Sequence, residues 1–255
     1  MSQALKINEK VLQPEEMLPL LMQYRLVTPL VKEVLIDHAI ANLSCEQSEI
    51  HDVQQKIITQ QSLRDANQLG QWLKQQGLDQ NRWSEQIERQ IKLSKYREET
   101  WGPQIERYFL ERKRQLDRVV YSLIRTPEAG IAQELYFRIQ DGESDFTSLA
   151  RQFSQGTEAQ TGGLIGPVEM GTPHPRIGQL LNTAKPGDLI PPTRIENWWI
   201  ILRLEKFIPA QLDDAMRQRL LEEKFQIWLR AQLQEQVSVI DTSEPSESLT
   251  SSVSS

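Results

Sequence analysis

Residues 153–204 carry the strongest chemical signal in the chain. They comprise a polar tetrapeptide, a glycine-rich run, an amphipathic helix, a turn and an apolar strand: Phe153-Ser154-Gln155-Gly156, Gly162-Gly163-Leu164-Ile165-Gly166, residues 174–184, Lys185-Pro186-Gly187-Asp188 and residues 198–204. The glycines can be required by backbone shape alone, because glycine adopts positive φ without a steric cost. The order and spacing of these pieces are therefore more informative than any one residue.

No other part of the chain has a strong catalytic signature. The residue types that ligate metals occur near one another at His38, Cys45 and His51, but their spacing matches no zinc-binding pattern. The single cysteine excludes an internal disulfide, and the sequence indicates no partner that would make it a reactive thiol. We therefore expect no metal and no cofactor.

Composition limits the classes of partner. The 255 residues have a formal net charge of -6, which argues against nucleic acid because phosphate binding needs clustered Lys and Arg. The tight basic run Arg112-Lys113-Arg114 is interpreted as a solvated helix face. No apolar run approaches 18 residues, so we expect no membrane span. The first nine residues lack the zones of a secretory signal, which predicts a cytoplasmic protein.

Residues 1–116 are predicted to form a helical array. Pro14 suits the first turn of a helix, and apolar residues then recur every three or four positions through most of this region. Gly77 is typical of a helix end, and Gly102-Pro103 of a helix start.

Residues 117–208 show a different pattern. A β-rich run follows Arg118, two helices are predicted after it, and two strands flank Glu196-Asn197 at the two-residue spacing of a hairpin. This order predicts a small antiparallel sheet flanked by helices, an α+β domain.

Residues 209–240 predict one long helix with an apolar stripe. The stripe is too apolar to face water, so we expect this helix to pack on the N-terminal array. Residues 241–255 are rich in Ser and Glu and are predicted to be disordered.

Two regions resemble known families. Residues 118–208 resemble the parvulin family of peptidyl-prolyl cis/trans isomerases, on the motifs given above. Residues 4–43 resemble the start of SurA/PrsA-type foldases, with Lys6-Ile7-Asn8-Glu9-Lys10 as the extended piece and Leu35-Ile36-Asp37 as the helix signature. The resemblance implies a helical chaperone domain that an isomerase domain interrupts and the C-terminal helix completes.

The resemblance also implies the catalytic positions. Parvulins commonly carry a histidine in the first strand and another in the last, and the matching positions hold Ser122 and Trp199. The Cys or Asp that often follows the Phe/Tyr-Ser pair corresponds to Gln155 or Gly156. Since no imidazole stands at either matching position, weak activity is expected.

The same resemblance implies the substrate-binding residues. Ile165, Pro173 and Ile177 correspond to an apolar recess for a proline ring, and Glu196 lies beside the last strand. Such a recess can favour the twisted amide without any covalent bond to the enzyme.

The function implied is isomerisation of X-Pro bonds together with chaperone action. The expected partners are unfolded or exported proline-containing polypeptides, and a secretion apparatus is a further partner that the resemblance allows. The alternative is a non-catalytic holdase or adaptor that binds peptides or a protein partner through the same fold.

Overall fold

The computed structural model describes residues 5–7 and 9–235 and divides the chain into two compact units. Unit 1 comprises residues 1–103 and 218–255, and unit 2 comprises residues 104–217. The sequence placed the domain boundaries after residues 116 and 208 instead. The difference at the first boundary is one helix, because periodicity identifies a helix but not the core on which it packs. The predicted disordered tail and residues 236–240 lie outside the described residues.

Unit 1 starts with a short hairpin and continues with helices. In the described residues these elements are β1 (Leu5–Ile7), β2 (Lys10–Leu12), α1 (Pro14–Gln23), α2 (Val27–Ile40), α3 (Gln47–Gln60), α4 (Ala66–Gln75) and α5 (Gln80–Trp101). Local side chains fix several helix starts. Asp65 accepts a hydrogen bond from the backbone N–H of Gln68 to cap α4, and Asp79 accepts one from Arg82 to cap α5.

A 3-10 helix (Gly102–Gln104) leads into unit 2. The further elements are α6 (Ile105–Leu116), β3 (Arg118–Thr126), α7 (Ala129–Gln140), α8 (Phe146–Phe153), a 3-10 helix (Thr157–Thr161), β4 (Leu164–Glu169), α9 (Pro175–Thr183), β5 (Leu189–Ile195), β6 (Trp198–Ile208) and α10 (Asp214–Glu235). The hairpin predicted at Glu196-Asn197 joins β5 to β6, with Ile195 paired to Trp198. The predicted α+β class is confirmed.

The described strands of unit 2 form one four-stranded antiparallel sheet in the order β4-β3-β6-β5. Helices cover both of its faces, which explains why the central strands are apolar on both sides. On one face, Ile124 and Ile201 pack with residues of α7 and α8. On the other face, Tyr121 and Leu202 pack with Ile177 of α9. We call this second side the α9 face.

Two glycines of the predicted glycine-rich run are required by the sheet. Gly163 and Gly166 have φ values of +87° and +115°, and a Cβ at either position would press on a backbone carbonyl of β3. These two glycines therefore allow β4 to lie close to β3. This agrees with the interpretation that backbone shape alone can require the glycines of the run.

The core of unit 1 has two described parts. Ile50, Leu73 and Trp83 join α3, α4 and α5 in one cluster. Residues of α10 pack at the end of α5, where the rings of Trp101 and Phe225 lie 6.1 Å apart. Helix α10 thus supplies part of the core of unit 1 although it follows unit 2 in the sequence.

Across the described residues, the helices are too short or too polar for one of them to cross a lipid bilayer.

Candidate active site

The α9 face brings two of the three apolar substrate-binding candidates, Ile165 and Ile177, together. Ile165 of β4 is half-buried and packs against the cluster that contains Ile177 of α9 and Tyr121 of β3. Pro173 is also half-buried and lies in the loop that leads into α9. Ile177 is 6% exposed, so the apolar surface that these candidates leave open is that of Ile165 and Pro173.

A histidine that the sequence argument missed stands beside this surface. His174 begins α9, where its Nδ1 accepts a hydrogen bond from the backbone N–H of Arg176 at 3.2 Å. Its Nε2 lies 3.8 Å from Oε1 of Glu196. The predicted residue Glu196 thus lies in the β5–β6 turn with an imidazole close by. The signal available in the sequence was a histidine between Pro173 and Pro175.

An ion pair lies at the end of β3. Arg125 donates from Nε and Nη2 to the two carboxylate oxygens of Glu158, at 2.8 and 2.5 Å. The Glu158 side chain is 2% exposed, whereas that of Arg125 is 34% exposed. Burial alone would raise the pKa of Glu158, but hydrogen bonds from Arg125 and from Ser154 Oγ outweigh it and lower that pKa below its ordinary value. Glu158 is therefore an ionised, fully satisfied carboxylate.

Gln155 and Gly156, two of the predicted catalytic positions, support this ion pair. The backbone N–H of Gln155 donates to the carbonyl of Arg125 at 3.0 Å, while the Gln155 side chain is exposed. A Cβ at Gly156 would overlap both the Arg125 guanidinium and the Glu158 carboxylate. The space that a Cys or Asp side chain would fill is occupied by the ion pair.

Tyr121 is the buried phenol of the α9 face. Its side chain is 4% exposed, and burial followed by the nearby charge of Glu158 raises the pKa of its hydroxyl. The phenol therefore remains a hydrogen-bond donor throughout the neutral range. The sequence argument assigned a role to its neighbour Ser122 instead.

Ser122 and Trp199 face the other side of the sheet. Ser122 pairs with Arg203 in β6, and its Oγ donates to Glu205 at 2.5 Å. The Arg203 guanidinium lies over the ring of Phe146 in α8, which identifies this side as the one covered by α7 and α8. Alternation along β6 puts Trp199 on the same side. The structure does not bring Ser122 and Trp199 together with Ile165 and Ile177, and their catalytic roles stay predictions.

Trp198 lies on the α9 face instead of Trp199. It is half-buried and packs against the cluster that contains Ile177. Because Thr126 pairs with Trp199, the end of β3 lies beside the turn that carries Glu196. The polar groups of Arg125 and Glu196 therefore stand at the same end of the sheet as the Trp198 ring.

The comparison with protein families identifies this region. Residues 125–206 match the rotamase family described as the PPIC-type PPIase domain. The match begins at Arg125 and ends within β6.

Curated relatives match a stretch of similar size. Chaperone SurA of Pseudomonas aeruginosa is 36% identical over 110 residues, which are 39% of this chain and 26% of that protein. Chaperone SurA of Burkholderia mallei is 30% identical over 102 residues, which are 36% of this chain and 22% of that protein. The chain spans about a quarter of the length of the curated relatives that it matches.

Solved structures that match this chain include two peptidylprolyl isomerases named PrsA. The protein from Bacillus anthracis is 19% identical and covers 83% of this chain and 99% of its own, with a TM-score of 0.47. The protein from Bacillus cereus is 14% identical and covers 93% of each chain, with a TM-score of 0.49. The family match therefore identifies residues 125–206 of this chain as a PPIC-type PPIase domain.

Proposed function

We propose that this protein is a peptidyl-prolyl cis/trans isomerase that also acts as a chaperone for unfolded polypeptides. The observation that carries the proposal is the α9 face of the PPIC-type domain. There, the half-buried Ile165 packs on the core that contains Ile177, and His174 and Glu196 lie 3.8 Å apart at the β5–β6 turn. The SurA relatives, which are named chaperones, support unfolded polypeptides as the clients.

The proposed chemistry is noncovalent. Rotation about an X-Pro bond meets a barrier of about 18 to 20 kcal/mol because the C–N bond has partial double-bond character. An apolar surface that holds the proline ring and removes water from the amide favours the twisted form over both planar forms. Ile165 supplies that surface, Ile177 supports it from the core, and the His174 imidazole is the polar group that we assign to the site.

The alternative is a holdase that binds peptides without turning them over. The observation that favours it is the environment of Ser122 and Trp199, which occupy the family's histidine positions but face away from Ile177. A secretion apparatus as a further partner and a cytoplasmic location both remain predictions from the sequence.

Exchange NMR on short X-Pro peptides tests the isomerase. We expect the full chain to accelerate cis/trans exchange, and Ile165→Ala to reduce that acceleration about tenfold, because it removes apolar surface from the site. Leu164→Ala is the matched control, since Leu164 is the adjacent strand residue and is 49% exposed. The control should retain activity within about twofold.

A second assay separates the two functions. The full chain and its Ile165→Ala variant are compared in suppressing aggregation of an unfolded client that lacks proline. No exchange acceleration by wild-type protein, combined with suppression by both proteins, would establish the holdase and reject the isomerase.

A further inference from the structure

A second concave surface lies within unit 2, between α6 and α9. It encloses about 560 Å³ and is lined by the last turn of α6, the loop that joins β4 to α9, and α9 itself. We call it the α6–α9 groove. Of the three apolar substrate candidates, Pro173 is the one that lines this groove.

Backbone hydrogen bonds hold the loop of the groove against α6. The N–H of Gly171 donates to the carbonyl of Gln115 at 3.1 Å, and the N–H of Met170 donates to the carbonyl of Asp117 at 2.7 Å. The Asp117 side chain is neutralised by Lys113 at 2.8 Å. The groove is therefore preformed, which lowers the ordering cost of binding a ligand.

Positive charge dominates the groove. Arg112 and Arg114 line it from α6, and Arg176 donates from Nη1 to Oε1 of the lining residue Gln179 at 3.4 Å. Among the described residues that line the groove, Glu169 is the one carboxylate. The whole chain has a formal net charge of -6, so this is a cationic site on an acidic protein. Such a site attracts anions.

The start of α9 does not supply this charge through its backbone. Pro175 has no N–H, and the N–H of Arg176 donates to Nδ1 of His174. The N–H groups of Ile177 and Gly178 donate to the carbonyl of His174. The arginine side chains are therefore the groups that would bind an anion here.

The two arginines of α6 are suited to carboxylates. The Arg112 guanidinium lies 5.4 Å from the ring centroid of Tyr108, and its Nη1 donates to the Tyr108 hydroxyl at 3.1 Å, so its position is fixed. Arg114 is exposed, and no described carboxylate pairs with it. A guanidinium presents donors in the fork geometry that matches a carboxylate.

The remaining lining indicates a polypeptide instead of a small anion. Gln115, Gln179 and Asn182 line the groove, and each amide side chain offers both a donor and an acceptor to a peptide backbone. Pro173 and Pro175 add apolar surface. A single inorganic anion would fill only a small part of 560 Å³ and would leave these groups unused.

We propose that the α6–α9 groove binds carboxylate-rich segments of unfolded clients, with Arg112 and Arg114 as the charged ligands. The inference rests on the proposed chaperone function and names the client chemistry, which is polypeptide rich in Asp and Glu. It also gives Pro173 a place in client binding outside the cluster that contains Ile165 and Ile177.

Fluorescence anisotropy with a labelled, proline-free peptide of alternating Asp and Ser tests the proposal on the full chain. A peptide of alternating Asn and Ser is the matched probe without charge. We expect the Asp peptide to bind at least tenfold more tightly, and its affinity to fall as salt rises from about 50 to about 300 mM, because salt screens exposed charges. No binding of the Asp peptide up to about 1 mM overturns the proposal, as does equal binding of both peptides.

Substitution of Arg114 locates the binding. Arg114→Gln should weaken binding of the Asp peptide about tenfold, because it removes one charge-assisted contact. Arg107→Gln is the matched control on the same helix, since Arg107 is 86% exposed and pairs with Glu111. The control should bind the peptide within about twofold of wild type. Equal affinities of the two variants would place the binding elsewhere and overturn the assignment.

A substitution on α9 tests the opposite wall. Gln179→Glu keeps the size of the side chain and the acceptor for Arg176, and it adds a negative charge to the groove. We expect binding of the Asp peptide to weaken several-fold. Gln133→Glu, an exposed substitution on α7, makes the same change in net charge and should bind like wild type. Equal weakening by both variants would mean that net charge, and not the groove, controls binding.

A competition experiment separates the peptide from a small anion. If inorganic phosphate displaces the Asp peptide at equal concentration, the groove is a site for small anions and the client proposal is rejected. Because the probe peptides lack proline, their binding is independent of isomerisation. Loss of the groove proposal with intact peptide exchange and aggregation suppression would leave the proposed function standing.

Discussion

Arg125 and Glu158 close a two-point ion pair over the Cα of Gly156. The two residues are 33 positions apart, and the pair joins the end of β3 to the 3-10 helix after α8. The absence of a side chain at Gly156 is what allows this geometry.

Gly156→Ala should destabilise unit 2 by about 3 kcal/mol. The new methyl group displaces the guanidinium, the carboxylate, or both. Separating a buried charged pair costs about 3 to 5 kcal/mol. We expect the lower end of this range because Arg125 is partly exposed. Urea unfolding measures the change.

Gly130→Ala is the control for that substitution. Gly130 lies in α7 with nothing within 4 Å of its added Cβ, so this change should be neutral or should stabilise by up to about 1 kcal/mol. Equal effects at the two glycines would contradict the role assigned to Gly156.

The Glu158 carboxylate should make stability depend on acid pH. The pKa of Glu158 in the folded protein lies below its ordinary value. The stabilisation that the ionised carboxylate contributes is therefore complete above the unfolded pKa of about 4.3. It is lost as pH falls through the folded pKa. The difference in unfolding free energy between wild type and Glu158→Gln should therefore shrink from about pH 6 to about pH 3.

A matched carboxylate provides the comparison. Glu134 is 68% exposed and pairs with Arg138 one turn along α7 at 3.7 Å. The difference between wild type and Glu134→Gln should stay nearly constant over the same range, because an exposed pair contributes little. A constant difference for Glu158→Gln would contradict the ion-pair assignment.

Substitution of His174 can separate catalysis from capping. His174→Ala removes both the imidazole and the acceptor for the Arg176 N–H, and should cost about 1 kcal/mol of stability. His174→Asn keeps a capping acceptor and removes only the ring. We expect both variants to lose several-fold in kcat/KM for peptide exchange, and only the alanine variant to lose stability. Full activity in His174→Asn would exclude the imidazole from the reaction.

Ser122→Ala should leave isomerisation unchanged. The substitution removes the hydrogen bond to Glu205, for a loss of about 1 kcal/mol, and Glu205 keeps its contact with Arg203 at 2.8 Å. Exchange NMR should show activity within about twofold of wild type. A large loss of activity at unchanged stability would instead support the catalytic role that the sequence predicted.

The difference between Ser122 and Tyr121 shows what the sequence could not determine. The β3 sequence is apolar on both faces, with Val119 and Leu123 toward α9 and Ile124 toward α7 and α8. Hydrophobic alternation therefore gives no signal for which residues face the site, and a shift of one position reverses every side chain. The family pattern indicated this strand, and the catalytic role of Ser122 on the side covered by α7 and α8 stays a prediction.

Turn chemistry, in contrast, was predictable. The glycine run identifies β4, because few other residues tolerate its positive φ values. The two-residue spacing between two strand patterns identifies the β5–β6 turn, where Glu196 has the positive φ. The Arg125–Glu158 pair and the approach of His174 to Glu196 depend on contacts between distant segments. Sequence periodicity carries no information on such contacts.

The aromatic contacts of α10 predict a large effect in unit 1. Phe225 is 1% exposed and its ring lies 6.1 Å from that of Trp101. Phe225→Ala should reduce the unfolding free energy by about 3 to 5 kcal/mol. Ile227→Ala on the same helix should change it by less than about 0.5 kcal/mol, since Ile227 is 46% exposed. Similar losses for the two variants would contradict this packing.

That packing also sets the order in which the protein can mature on the ribosome. All strands of the parvulin sheet are translated before Phe225, so unit 2 can acquire its native structure while unit 1 still lacks its last helix. Until α10 emerges, Trp101 has no Phe225 to cover it, and a nascent or truncated chain would display that indole to chaperones and proteases.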